Sequence, residues 1–276
     1  MMSVWFVTGA SRGLGRAIVE AAVTAGDQVV AAVRTPDSVA DLPSDQVLVV
    51  PLDVRDEGMA AAAVEAAVER FGRIDVLVNN AGYGLLGPVE ETSDKEARDL
   101  FDVNFFGLLN VTRQVLPVLR RQRSGRVINI SSVGGFTALP GSGVYAATKF
   151  AVEAVTESLA AELAGSGVTV HVVEPGAFRT EFLDESSIRV TAAEPITAYE
   201  ATVHSGRPAF LAASGSQPGD PAKAAQAVLT LAGAEEPPLR LQLGADSVNR
   251  VQAKLDLVRR ELDTWRELSL STAYDD

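Results

Sequence analysis

Residues 4–26 read VWFVTGASRGLGRAIVEAAVTAG, and the order of their parts decides the fold. Val4 to Thr8 is a short apolar run of strand length. Gly9-Ala10-Ser11-Arg12-Gly13-Leu14-Gly15 follows at once, and Leu14, Ile18, Ala22 and Ala25 then recur at helical spacing until Gly26. Strand, glycine turn and helix in direct succession open a nucleotide-binding βαβ unit. The glycines let the backbone approach a diphosphate, and the free N–H groups and dipole at the helix start favour an anion. The spacing is G-x-x-x-G-x-G, a departure from the more familiar G-x-G-x-x-G.

Outward from this unit the same alternation continues. Further strands are expected at Gln28–Val33, Val47–Leu52, Ile74–Val78, Val127–Ile130, Val168–Val173 and Leu239–Leu243. Helices are expected over Asp56–Phe71, Ser93–Arg121, about Gly143–Leu163 and Asp220–Leu231. The implied architecture is α/β: a Rossmann-type doubly wound parallel sheet of about seven strands with helices on both faces. Ligands of such sheets sit at the carboxyl ends of the strands, where Gly9, Asn79, Ser132 and Pro175 all fall. Glu174-Pro175-Gly176 reads as a turn.

Several side chains near those ends carry a specific chemistry. An acidic residue after the second strand would suit the ribose hydroxyl of NAD. Here Val33 is followed by Arg34, with Arg12 in the glycine loop, and two converging guanidiniums suit a 2′-phosphate, so NADP(H) is expected over NAD(H). Asp53, closing the third strand, can meet an adenine amino group, and Asn79-Asn80-Ala81-Gly82 suits a cofactor cleft. Asn104 lies within a helix, where an amide can distort the backbone. Tyr145 and Lys149, four apart, share one helix face. A phenol has an ordinary pKa of about 10, and an ammonium about 4 Å away is worth roughly the 4 kcal/mol needed to bring it near 7.

Composition narrows the class. A net charge of −12 argues against nucleic acid or an anionic membrane surface as partner. The absence of cysteine excludes disulfides, thiol catalysis and cysteine-based metal sites. His171 and His204 lack acidic neighbours at ligand spacing, so no metal site is expected. No apolar run approaches the roughly 20 residues of a membrane span, and no basic-then-apolar leader precedes the first strand, so a cytoplasmic location is expected. At 276 residues the chain is read as one dinucleotide-binding and catalytic domain, 1–276.

With TGASRGLG, NNAG, Asn104, Ser132, Tyr145-x-x-x-Lys149 and PGAFRT in place, the chain resembles the short-chain dehydrogenase/reductase superfamily. It is similar to the compact type and its hydroxysteroid-dehydrogenase-like branch, over residues 4 to about 180. The resemblance implies catalytic roles for Asn104, Ser132, Tyr145 and Lys149. Tyr145 would exchange the proton with a carbonyl oxygen, Lys149 would lower the phenol's pKa and hold the nicotinamide ribose, and Ser132 would bond the substrate oxygen. Asn104 would seat a water in a proton relay. It also implies cofactor contacts by Gly9, Ser11, Arg12, Gly13, Leu14, Gly15, Arg34, Asp53, Val54, Asn80, Ala81, Gly82, Tyr145, Lys149, Pro175, Gly176 and Thr180. The reaction implied is hydride transfer between NADP(H) and a carbonyl or secondary alcohol. The competing reading is a catalytically silent NADP(H)-binding regulator or scaffold of the same fold.

Residues 178–216 have poor periodicity with interspersed apolar side chains, and are read as a lid over the substrate. With Ser132, Phe136, Tyr145 and Phe178 as substrate contacts, a bulky apolar small molecule is expected. Tyr83, Val133, Gly135 and Leu139 are further candidate walls. A C-terminal helix over about 246–266 bears Val248, Val251, Leu255, Val258, Leu262 and Trp265 at alternating three and four. It is expected to pack on the body. A homo-oligomer, dimer or tetramer, is expected from the resemblance.

Overall fold

Strands rich in valine, alanine and isoleucine pack well when both faces of a sheet are covered. In the computed structural model, which describes residues 2–274, they do so. The strands are β1 (Val4–Thr8), β2 (Gln28–Val33), β3 (Val47–Pro51), β4 (Val76–Asn79), β5 (Gly84–Leu86), β6 (Gly125–Ile130), β7 (Val168–Pro175), β8 (Ile188–Val190) and β9 (Arg240–Leu243). The α-helices are α1 (Gly13–Thr24), α2 (Glu57–Phe71), α3 (Asp94–Phe101), α4 (Gly107–Gln122), α5 (Gly143–Glu162), α6 (Arg207–Ala212), α7 (Pro221–Gly233) and α8 (Ala245–Leu270). Seven strands form one parallel sheet in the order β3-β2-β1-β4-β6-β7-β9. This is a Rossmann-type α/β fold.

Successive side chains along a strand point to opposite faces. Phe6, Leu77 and Val127 therefore enter one core with Val111, Val115 and Leu119 of α4 and Ala63 and Ala67 of α2. Their neighbours Val7, Val78 and Ile128 enter the other, with Ile18 and Val19 of α1 and Val228 and Leu231 of α7. Strand order reverses between β1 and β4, and the crevice at their carboxyl ends receives the glycine loop and Asn80.

Four expectations about elements need correction. The helix expected over Ser93–Arg121 is broken: α3 and α4 are joined by a π-helical turn, Asp102–Phe106, with Asn104 buried inside it. Glu174 and Pro175 are not in a turn, because Val173, Glu174 and Pro175 align with Leu241, Gln242 and Leu243 in the β7–β9 ladder. The segment 178–216 contains β8, which pairs with β5, and Glu91 pins its later part by accepting from Ile196 N (2.7 Å) and bonding His204 Nε2 (2.8 Å). Finally, α8 packs only through its start, where Ser247 and Val251 are buried. At 1.5 Å per residue a 26-residue helix runs about 39 Å, further than the sheet edge it leans on, and Leu255, Val258, Leu262 and Trp265 stay exposed. No helix among the described residues is long and apolar enough to cross a membrane.

Candidate active site

The glycine loop is locked to the end of β4 by two polar side chains. Thr8 Oγ1 accepts from the backbone N–H groups of Asn80 (2.9 Å) and Ala81 (3.0 Å). Asn80 Nδ2 donates back to the carbonyls of Thr8 (3.0 Å) and Gly9 (3.2 Å). Gly15 has no room for a side chain, since a Cβ there would lie 2.4 Å from both Asn80 Nδ2 and the Gly9 carbonyl. Gly9 and Gly13 adopt φ of 64° and 57°, the left-handed region that favours glycine. The Nδ2 group of Asn80 thus shapes the turn. Thr8 was not singled out by sequence, since a threonine ending a strand carries no distinguishing pattern.

The helix that follows is left open for an anion. Arg12 stands at the N-cap of α1 without capping it, and the first turn has no acidic residue. The N–H groups of that turn thus lack the usual side-chain acceptor. Ser11 and Leu14 are half-buried beside them, and Thr180 approaches the loop, its Cβ 3.5 Å from where a Gly13 Cβ would stand.

A second cluster forms where β4, β6 and α5 meet. Asn104 Oδ1 accepts from Tyr83 N (3.0 Å), while its Nδ2 donates to Tyr83 O (2.9 Å) and Thr148 Oγ1 (3.2 Å). Gly82 lies over it, with a Cβ position 3.0 Å from Asn104 Oδ1 and 3.8 Å from Lys149 Nζ. The buried Lys149 ammonium donates to the carbonyl of Ile130 (2.9 Å). Ser132 Oγ accepts from Gly134 N (3.0 Å), and Gly134 sits between Ser132 and the Tyr145 ring. Asn104, Ser132, Tyr145 and Lys149 are thus brought together.

The electrostatics differ from the expectation that Lys149 draws the phenol down. Burial pushes Tyr145 up to about 12, against the pull of its bond to Ser132. Burial likewise pushes Lys149 down to about 8, with Glu153 opposing. The cause is common: removal from water penalises the charged form of each.

At the adenosine end, the two arginines do not converge. Arg12 Nη1 and Nη2 donate to Ser186 Oγ and Ser186 O, both at 2.6 Å, tying the glycine loop to the 178–216 segment. Arg34 is exposed beside Asp53. Asp53 is held in a forked pair by Arg55, which keeps its carboxyl below the usual range. Val54 packs on Gly107, whose absent Cβ would lie 2.5 Å from it. Pro175 is buried, and Gly176 is held by its N–H donating to Leu243 O (2.8 Å), with the Asp246 carboxylate where its Cβ would be.

Beside Tyr83 lies a cleft of about 1000 Å³, walled by Tyr83, Leu85, Leu183, Ile188, Val190 and Leu211 and also by the polar Glu96, Asp184, Glu185, Ser186, Arg189 and Ser214. The ring of Phe182, within the 178–216 segment and adjacent in sequence to the cleft residue Leu183, sits 6.0 Å from that of Tyr145. None of the four substrate contacts expected from sequence is a wall of this cleft; Ser132 and Tyr145 belong to the polar cluster instead. Phe178 packs against Gly219 and Gly244, and Phe136 is half-buried where the Val133–Gly135 turn ends. Val133, Gly135 and Leu139 do not line it either. Leu183, Ile188 and Leu211, among the apolar residues noted in that segment, do.

The uncapped start of α1 and the close-packed glycine turn fit the diphosphate of a dinucleotide, and the buried lysine and phenol stand at the far end of the same crevice. Comparison with known proteins agrees. Residues 3–190 match the family model described as short chain dehydrogenase. An oxidoreductase, BOA17, of Botryotinia fuckeliana is 39% identical over 277 residues, covering 99% of this chain and 100% of its own. A short-chain dehydrogenase from Streptomyces avermitilis is 43% identical, with a TM-score of 0.92 over 99% of this chain and 100% of that one. One from Burkholderia phymatum, in complex with NAD, is 25% identical, with a TM-score of 0.83 over 94% and 95%. The chain belongs to the short-chain dehydrogenase family and is an oxidoreductase acting on carbonyl and alcohol carbons.

Proposed function

We propose that the protein is a cytoplasmic NADP(H)-dependent reductase of bulky apolar ketones or aldehydes, working as one catalytic domain and as a homo-oligomer. The observation that carries this is the meeting of Ser132, Tyr145, the buried Lys149 and Asn104 beside an uncapped helix start, with Tyr83 joining Asn104 to a cleft whose larger side chains are apolar. The bound nicotinamide supplies the hydride. Tyr145 supplies the proton: a phenol pushed up to about 12 keeps it at neutral pH and surrenders it when a carbonyl oxygen gains negative charge. Ser132 orients that oxygen. Lys149 would hold a ribose hydroxyl with the N–H groups that the Ile130 carbonyl does not take.

Gly9, Ser11, Gly13, Leu14 and Gly15 would carry the diphosphate, with Ala81, Gly82, Pro175, Gly176 and Thr180 along the nicotinamide half. The NAD in the Burkholderia phymatum relative belongs to that protein. Here the exposed Arg34 after β2 supports a 2′-phosphate, with Arg12 joining it once released from Ser186. The exposed apolar stripe of α8 supports assembly.

The test is NADPH oxidation with a panel of apolar carbonyl compounds. Turnover is expected in the wild-type protein and should fall by about 10²–10⁴ in Tyr145→Phe, while NADPH still binds. Full activity of that variant would overturn the mechanism.

A further inference from the structure

Two carboxylates that this reaction does not use lie buried behind Lys149. Glu153 is one helical turn beyond Lys149 on the same face of α5, so Tyr145, Lys149 and Glu153 form a single stripe. Glu174, in β7, is fully buried, and neither of its oxygens has a hydrogen-bond partner. Arg240 of β9 reaches between them: its Nε donates to Glu153 Oε2 (3.2 Å) and lies 3.9 Å from Glu174 Oε1, while its Nη2 meets Glu157 (2.7 Å). The remaining oxygen of Glu153 faces the buried Ser131 across Gly135, whose absent Cβ would be 2.4 Å from Ser131 Oγ and 3.1 Å from Glu153 Oε1. One guanidinium thus serves two buried acids. The turn it underlies, Val133–Gly135, is the one that follows Ser132.

We propose that Glu153 is a positioning residue: its carboxylate, held among Ser131, Glu174 and Arg240, supports the ammonium of Lys149 and thereby sets the pH range over which the Tyr145–Lys149 pair works. The significance for catalysis rests on the function proposed above. The groups facing Glu153 are Lys149 and Glu157 from α5, Ser131 at the end of β6, Glu174 from β7 and Arg240 from β9. Burial, opposed by Ser131 and Arg240 but reinforced by Glu174, raises Glu153 to about 7, so its charge changes near neutrality. Below that pH Lys149 loses the negative charge one helical turn away. Above it the lysine is supported until it too releases its proton.

The test is the titration of Lys149 in the full chain carrying ¹⁵N at the lysine Nζ, read by NMR; the other lysines, Lys95, Lys223 and Lys254, are not buried. In the wild-type protein the Lys149 signal should titrate near 8, with a smaller step near 7 as Glu153 ionises. Glu153→Gln should abolish the step and lower the Lys149 midpoint by about one unit, as expected for losing a charge one turn away. Glu153→Asp should retain most of the wild-type midpoint. The alkaline limb of NADPH-dependent turnover should move with Lys149.

An unchanged Lys149 midpoint in Glu153→Gln would overturn the proposal. If that variant does not fold, absence of the step near 7 in the wild-type protein would do so. Lack of turnover by a wild-type protein whose Lys149 responds as described would instead overturn the proposed function, leaving the electrostatic link in place.

Discussion

The phenol of Tyr145 is held at high pKa rather than low because burial penalises its phenolate, while one N–H of Lys149 meets the Ile130 carbonyl. Spacing along a helix reports which side chains share a face, but desolvation depends on what the rest of the chain lays over them. Arg34 has the opposite character: it stands in water, its value deferred to a ligand. Arg34→Asp should weaken NADPH binding by roughly 10- to 100-fold, the worth of a charge-assisted hydrogen bond, and change NADH binding little. Fluorescence titration of both nucleotides checks this. Equal changes would make Arg34 a surface residue without a role in choosing the cofactor.

Elements act through close approach and through what they leave uncovered. The glycine turn depends on contact between Gly15 and Gly9 that no side chain can enter. Gly15→Ala should therefore displace the turn and cost more than tenfold in nucleotide affinity, readable by calorimetry, while the circular dichroism of the sheet and helices persists. The stripe on α8 shows the second effect. Leu262 and Trp265 are more than half exposed on a helix that leaves the body, an unfavourable state for apolar side chains in water. If the stripe closes an oligomer, the double variant Leu262→Glu, Trp265→Glu should reduce the mass found by analytical ultracentrifugation to that of one chain without changing the unfolding temperature of the body. An unchanged mass would place the interface elsewhere.

At the scale of the molecule, the buried charges make stability depend on pH. Glu153 has a folded-state pKa raised to about 7, above its ordinary value, so the folded chain retains a proton that the unfolded chain has released. The stability it contributes is complete below its ordinary pKa and is lost as pH rises through about 7. Lys149, depressed to about 8, has the opposite linkage: its contribution is present above its ordinary pKa and lost as pH falls through about 8. Between pH 4 and 7 the glutamate dominates. Across that range the wild-type protein should lose about 2–3 kcal/mol relative to Glu153→Gln, measured by urea unfolding. A constant difference between the two proteins would show that folding leaves the Glu153 pKa at its ordinary value.

The alternation from Val4 to Leu243 was enough to read the doubly wound sheet, because a parallel strand covered on both faces must be apolar throughout and a helix must repeat near 3.6. The catalytic cluster was legible through the family resemblance, which implied Asn104, Ser132, Tyr145 and Lys149; the pattern alone placed Ser132 at a strand's carboxyl end and Tyr145 and Lys149 on one helix face. Tertiary structure alone decided the rest. Three-residue strands such as β5 and β8 carry too few residues to show a period, and exist only because the chain folds them beside each other. Arg12 was read toward a phosphate and found on Ser186, 174 residues away, since a long cationic side chain takes whichever acceptor the fold brings near. The same holds for Glu153, Glu174 and Arg240, drawn from a helix and two strands. Local sequence determines periodicity and turn geometry, whereas burial and charge pairing are properties of the space between elements.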